Sequence, residues 1–224
     1  LLIETMQELI VTLTIWALPV LFAITLHEAA HGYAARHFGD PTAELAGRIS
    51  LNPLRHIDPM GTILVPGLIV AVSTLAGGSP MLFGWAKPVP VNFGRLRKPK
   101  ADMLWVAAAG PFANLVMAFA WAVLFRFALM SPENVYALPM AKMADAGMQI
   151  NAVLLFLNLF PLPPLDGGRI AVSLLPAGPA YKFAQIEPYG FPILLVLLFT
   201  GILGDILGPL VAFFRFALAT FIGL

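Results

Sequence analysis

"LHEAAHGYAARHFGD", residues 26–40, ends an apolar run with a cluster of ionisable side chains: His27, Glu28 and His31 fall within five positions. The run leading into it, "QELIVTLTIWALPVLFAIT" from residue 7, is long and greasy. About 20 apolar residues cross a bilayer as a helix, so residues 7–37 read as a spanning helix with Pro19 as a kink. The composition agrees: 59% of residues are hydrophobic and 11% charged, where soluble domains carry about a quarter charged. With a mean hydropathy of +0.86, the chain reads as an integral membrane protein. A net charge of +1 gives no basic face for nucleic acid, and the absence of cysteine excludes disulfides, thiolate metal sites and cysteine nucleophiles. The leading Leu1 suggests a trimmed N-terminus. Residues 9–25 do not read as a cleaved signal peptide, because no basic region precedes them and no small-residue cleavage site follows.

Further apolar segments follow. "GTILVPGLIVAVSTLAGG", 61–78, is short and interrupted by Pro66 and Gly67; "MLWVAAAGPFANLVMAFAWAVLFRFALM", 103–130, carries small residues suited to close helix packing. "MQINAVLLFLNLF", 148–160, is halted by prolines, and 189–204 and 205–222 meet at Gly204 and Asp205. Lys and Arg near helix ends favour the cytoplasm. Arg36, Arg48 and Arg55 follow the first segment, and Lys87, Arg95, Arg97, Lys98 and Lys100 precede the third. Both loops are therefore expected to be cytoplasmic, with 131–145 as an outside loop and 61–78 as a re-entrant excursion turning near Pro66 and Gly67. The basic run 95–100 reads as a solvated anchor at the membrane surface. The expectation is an all-α polytopic membrane protein, one domain over residues 1–224, with five to six transmembrane segments and a re-entrant or β-like cytoplasmic-side loop.

In a helix, residues four apart lie about 40° apart in azimuth and about 6 Å along the axis, so His27 and His31 share a face at metal-ligand spacing. Glu28 projects about 100° round, within reach of a water on the metal without ligating it. The alternative is a pair of interhelical hydrogen-bonding histidines. An ionisable triple inside a span is costly, however, and favours a functional reading. Catalytic zinc takes three protein ligands. His37 lies some 80° off the face of His27 and reads as a solvated surface histidine. His56, in "NPLRHIDP", reads as a polar loop residue. Asp166, in "NLFPLPPLDGGRI", directly follows a spanning segment at the depth of HEAAH, which outweighs its reading as a turn aspartate and makes it the third ligand, for one zinc per chain.

"HEAAH" with "NLFPLPPLDG" resembles the site-2 protease family of intramembrane zinc metalloproteases, whose signatures are HExxH and a later NxxPxxxLDG. Asn158, Pro161, Leu165, Asp166 and Gly167 fall in place, and "AAAGPFANLVMA", 107–118, resembles the family's central helix with GPxxN at Gly110, Pro111 and Asn114. "GRISLNPLRHIDPMGT" and "FGWAKPVPVN" are similar to the short bacterial and archaeal subgroup, the form without a PDZ or nucleotide-sensing domain. The resemblance implies a three-helix catalytic core (about 7–37, 103–130 and 148–160), zinc on His27, His31 and Asp166, and Glu28 as general base. It also implies Asn158 at the oxyanion or substrate backbone, with a lesser substrate claim for Asn114. The implied substrate is a membrane protein with a transmembrane segment, cut within a bacterial or archaeal cell membrane; the loop charges put the active site towards the cytoplasmic side, and a regulatory partner is left open. Residues 84–93, "GWAKPVPVNF", have the alternation of an edge strand that could receive substrate, or form a plain loop. Two rivals are a metal-ion channel or transporter, and a non-catalytic membrane scaffold.

Overall fold

The computed structural model describes residues 2–75 and 84–224, and every regular element among them is helical. The order is α1 (Leu2–His37), α2 (Thr42–Leu45), α3 (Val65–Leu75), α4 (Pro99–Leu129), α5 (Ala137–Leu159), α6 (Asp166–Leu174), α7 (Ala177–Ala184), α8 (Glu187–Phe199) and α9 (Ile202–Phe221). Among the described residues, three stretches are long and apolar enough to cross a membrane: Ile10–His37, Pro99–Leu129 and Ile202–Phe221. The pair α7 and α8, bent by 61° at their junction, passes the same test when taken together.

Helices α1, α4 and α5 pack against one another and form the centre of the molecule. In lipid there is little hydrophobic drive between helices, so contact depends on how closely backbones approach. The buried stripe of α4 is accordingly built from small residues: Ala107, Gly110, Ala118 and Ala122 lie along it with Val106 and Asn114. On α5, Gly147 faces the ring of Trp121, with Trp121 Cε2 2.6 Å from where a Cβ would stand. Helix α9 closes the outer side, Leu218 packing with Ala118, Ala122 and Met148 at one end and Leu203 with Leu162 and Leu194 at the other.

The ends of α1 and α5 position the polar residues. After His37 the chain turns through Gly39 at φ +107°. The Gly39 amide donates to Arg36 and the Asp40 amide to Ala35, satisfying orphan carbonyls of the last turn. After Leu159 the chain doubles back through Pro161–Leu165 so that α6 begins on Asp166. This turn is tight: a Cβ on Gly167 would collide with the Leu159 carbonyl, one on Gly168 with Pro163, and one on Gly190 of α8 with the Pro163 carbonyl.

Four expectations need correction. Helix α5 begins at Ala137, so most of the expected 131–145 loop is helical. Its first turns carry Lys142 and Asp145, which dilute the apolar signal, and packing on α4 supports them instead. The C-terminal segments break at Gly201 (φ +81°) rather than at Gly204 and Asp205. No turn occurs at Pro66 and Gly67: a π-helical stretch, Pro59–Leu64, runs directly into α3, and both residues lie within that continuous helix. The last residues of the 61–78 segment lie outside the described residues. The segment from 84 to 92 is not a strand, although alternate amides are tied down: Trp85 to the Gly61 carbonyl and Lys87 to that of His56.

Candidate metal centre

His27 and His31 lie on the face of α1 that meets α4, and Asp166 reaches them from the first turn of α6. The two Nε2 atoms are 3.1 Å apart, and each is 3.3 Å from Asp166 Oδ2. Both histidines are buried, and the Asp166 side chain is 13% exposed. Among the described residues this cluster brings three ligand atoms within 4.8 Å of one another.

The tautomers follow from the outer bonds. His31 Nδ1 lies 2.7 Å from the Val106 carbonyl, and His27 Nδ1 lies 2.6 Å from Asn114 Oδ1. Oxygens of these kinds only accept, so each Nδ1 carries the proton and each Nε2 is left with a lone pair. Asp166 Oδ2 is buried without a hydrogen-bond partner. Three acceptors thus converge with no donor among them, an arrangement that a bound cation would relieve. Two imidazole nitrogens and a carboxylate oxygen suit zinc, with a fourth position left over. Room is kept by Gly110 of α4: a Cβ there would stand 2.6 Å from His27 Cε1 and 2.7 Å from its Nε2, and closer still to His31. The residues present therefore fit the metal.

Glu28 stands outside the triad. Its Oε2 accepts from the Val89 amide at 2.7 Å, and Val89 itself packs beside Gly32 one turn along α1. Asn158 donates to the Leu154 carbonyl of its own helix at 3.0 Å. Asn114 is fully buried, and its amide is committed to His27, to the Ala23 carbonyl (3.2 Å) and to Asn151 (3.0 Å). His37 is exposed, stacked edge-on with Phe38. His56 lies in the loop as expected but is buried there, 2% exposed, and donates to the Ser50 carbonyl; neither joins the cluster. Sequence reading passed over Asn151, whose signal was an amide in the middle of an apolar helix. It also passed over the Val89 amide and the Val106 carbonyl, which as backbone groups leave no mark in the sequence. Arg169, three residues past Asp166, lies 5.0 Å over the Phe93 ring and 3.4 Å from Glu187, tying α6 to α8.

No protein-family model matches the chain, and no solved structure matches it. Among curated relatives, YwhC of Bacillus subtilis (strain 168), which bears the name of a zinc metalloprotease, is 38% identical over 216 residues, covering 93% of this chain and 87% of YwhC. Rip2 of Mycolicibacterium smegmatis, similarly named, is 35% identical over 182 residues, covering 80% of this chain and 64% of Rip2. Rip2 of Mycobacterium tuberculosis (strain H37Rv) is 29% identical over 180 residues, covering 79% of this chain and 63% of that protein. At this identity and coverage, the chain belongs to the zinc metalloprotease family that includes YwhC.

Proposed function

We propose that this protein is an intramembrane zinc metalloprotease of site-2 protease type, hydrolysing peptide bonds in transmembrane or membrane-associated segments of other membrane proteins. The observation that carries the reading is the convergence of His27 Nε2, His31 Nε2 and Asp166 Oδ2 with both Nδ1 protons committed elsewhere. These three residues would hold one zinc, which when bound lowers the pKa of water and polarises a carbonyl. Glu28 takes the proton of the attacking water and passes it to the leaving amine. The Val89 amide holds the Glu28 carboxylate in place between these transfers. Asn158 is assigned to substrate backbone or oxyanion, and Asn114 to orienting His27. We place α1, α4, α5, α8 and α9 across the bilayer and Pro59–Leu75 as an excursion from the cytoplasmic side. The loop charges support an active site facing the cytoplasm.

Metal stoichiometry on detergent-purified protein tests this reading. One zinc per chain is expected in the wild type and in Glu28→Gln, with loss in Asp166→Ala. Cleavage of a transmembrane peptide in liposomes should fall by about 10²–10⁴ in Glu28→Gln despite its full zinc. Zinc occupancy indifferent to Asp166 would return the transporter and scaffold readings to the front.

A further inference from the structure

The side-chain amides behind His27 form a chain that crosses three helices. Asn151 Nδ2 donates to the Gly147 carbonyl within α5 at 2.9 Å. A carbonyl cannot donate, so this bond decides which way the Asn151 amide faces and leaves its Oδ1 as the acceptor turned to α4. Asn114 Nδ2 meets that acceptor at 3.0 Å and also donates to the Ala23 carbonyl of α1 at 3.2 Å. With both donors placed, Asn114 Oδ1 must face His27 and accept from Nδ1–H at 2.6 Å. Asn114 and Asn151 are both fully buried.

We infer that Asn151 is a positioning residue for the metal centre: together with the Ala23 carbonyl it holds Asn114 so that Nδ1 of His27 carries the proton, and so keeps Nε2 available as a ligand. If the Asn114 amide reversed, its NH₂ would face His27, the ring would protonate on Nε2, and the lone pair would point away from His31 and Asp166. The two histidines are held differently. His31 takes its tautomer directly from a backbone carbonyl, whereas His27 takes it from the Asn114 side chain, whose amide is oriented by the Asn151 side chain together with the Ala23 carbonyl. Packing of α5 on α4 is thereby coupled to ligation on α1. The inference rests on the zinc reading for its consequence, but the tautomer itself exists without metal.

The test uses full-length protein labelled with [¹⁵N]histidine, zinc-free and at alkaline pH, where a ring carries one proton. Ring nitrogen shifts report the tautomer, and chelator competition reports zinc affinity. The wild type should hold His27 in the Nδ1–H form. Asn151→Leu, which offers Asn114 no acceptor, should give a mixture of tautomers and zinc binding weakened about 10–100-fold. Asn151→Asp should restore both, since its carboxyl supplies the missing acceptor in either protonation state. A purely structural role would lower thermal stability yet leave the His27 shifts in place. A single Nδ1–H tautomer in Asn151→Leu with wild-type zinc affinity would overturn the inference. Should Asn151→Leu not fold, Asn151→Ala carries the same readouts. Absence of zinc binding in the wild type would defeat the metal reading alone, because the tautomer comparison stands without it.

Discussion

Two aspartates, one just past α1 and one just past α5, are treated oppositely. Asp40, just past α1, is saturated: one oxygen accepts from the Thr42 amide and hydroxyl, the other from the Asn92 amide at 2.6 Å. Asp166, at the start of α6, has a buried oxygen with no hydrogen-bond partner, aimed at two imidazole lone pairs. A fold that satisfies one carboxylate fully can satisfy the other, so the deficit at Asp166 reflects what the site binds rather than poor packing. Asp40 ties the 84–92 segment to the end of α1, while Asp166 waits for a cation.

The sharpest way to break this contrast is Asp166→Asn. Placing an NH₂ where Oδ2 now stands, 3.3 Å from both Nε2 atoms, supplies the missing donor. Zinc binding should fall by more than 100-fold, beyond the loss usual for an outer partner. The zinc-free protein should nevertheless gain about 0.5–1.5 kcal/mol. Chelator competition and thermal unfolding measure the two effects, and a destabilised zinc-free variant would mean that the centre is not strained toward a cation.

Gly110→Ala approaches the same site from α4. In an unobstructed helix the exchange gains about 0.5–1 kcal/mol. Here the added methyl would enter the space between two rings fixed by Asn114 and Val106. Overpacking should cost about 1–3 kcal/mol, with zinc binding lost alongside. Gly204→Ala in α9, with nothing within 4 Å of its Cβ position, serves as the matched control and should stabilise. Equal behaviour of the two variants in denaturant melts would count against a reserved cavity.

The part of this contrast readable from sequence is the part carried by spacing and depth. His27 and His31 share a face because they are four apart, and Asp166 follows directly on an apolar segment. The spans of α1, α4 and α9 follow from hydropathy alone. What escaped was set by neighbours. The first half of α5 is polar enough to read as a loop until α4 lies beside it. Gly201 rather than Gly204 ends α8 because a left-handed residue is needed there and hydropathy carries no φ. Asn151 looks like any amide in an apolar helix until Asn114 is seen beyond it. His56, surrounded by loop residues, gives no sign that it is buried.

Asp40 offers the complementary test, in stability rather than zinc. Burial alone pushes its carboxyl up, but the bonds from Thr42 and Asn92, with Arg95 nearby, outweigh this and hold it below the ordinary carboxylate value. A depressed folded pKa contributes stability that is complete above the unfolded value of about 3.9 and is lost as pH falls through the folded one. Asp40→Asn sets an amide donor against backbone N–H groups. It should cost about 1.5–3 kcal/mol at neutral pH, flatten the acid dependence below about pH 4, and leave zinc affinity unchanged. Loss of zinc in this variant would show that the Asp40 corner and the metal centre are one unit.

The smallest effect belongs to a third polar group, on the far side of α5. Arg215 of α9 pairs with Asp145 and donates to Gln149 at 2.7 Å, with the arginine and aspartate side chains 37% and 47% exposed. Like Asp40, this group satisfies itself; unlike it, the pair is only half-buried. A double-mutant cycle over Arg215→Leu and Asp145→Leu should therefore return a coupling of about 0.2–1 kcal/mol, with zinc affinity unmoved. The sign matters less than the isolation. Gln149 and Asn151 lie two residues apart on α5, on different faces of the helix. A change in zinc affinity on removing Arg215 would mean that α9 bears on the His27 relay through α5, and that the outer ion pair belongs to the metal centre's support rather than to the seam between helices.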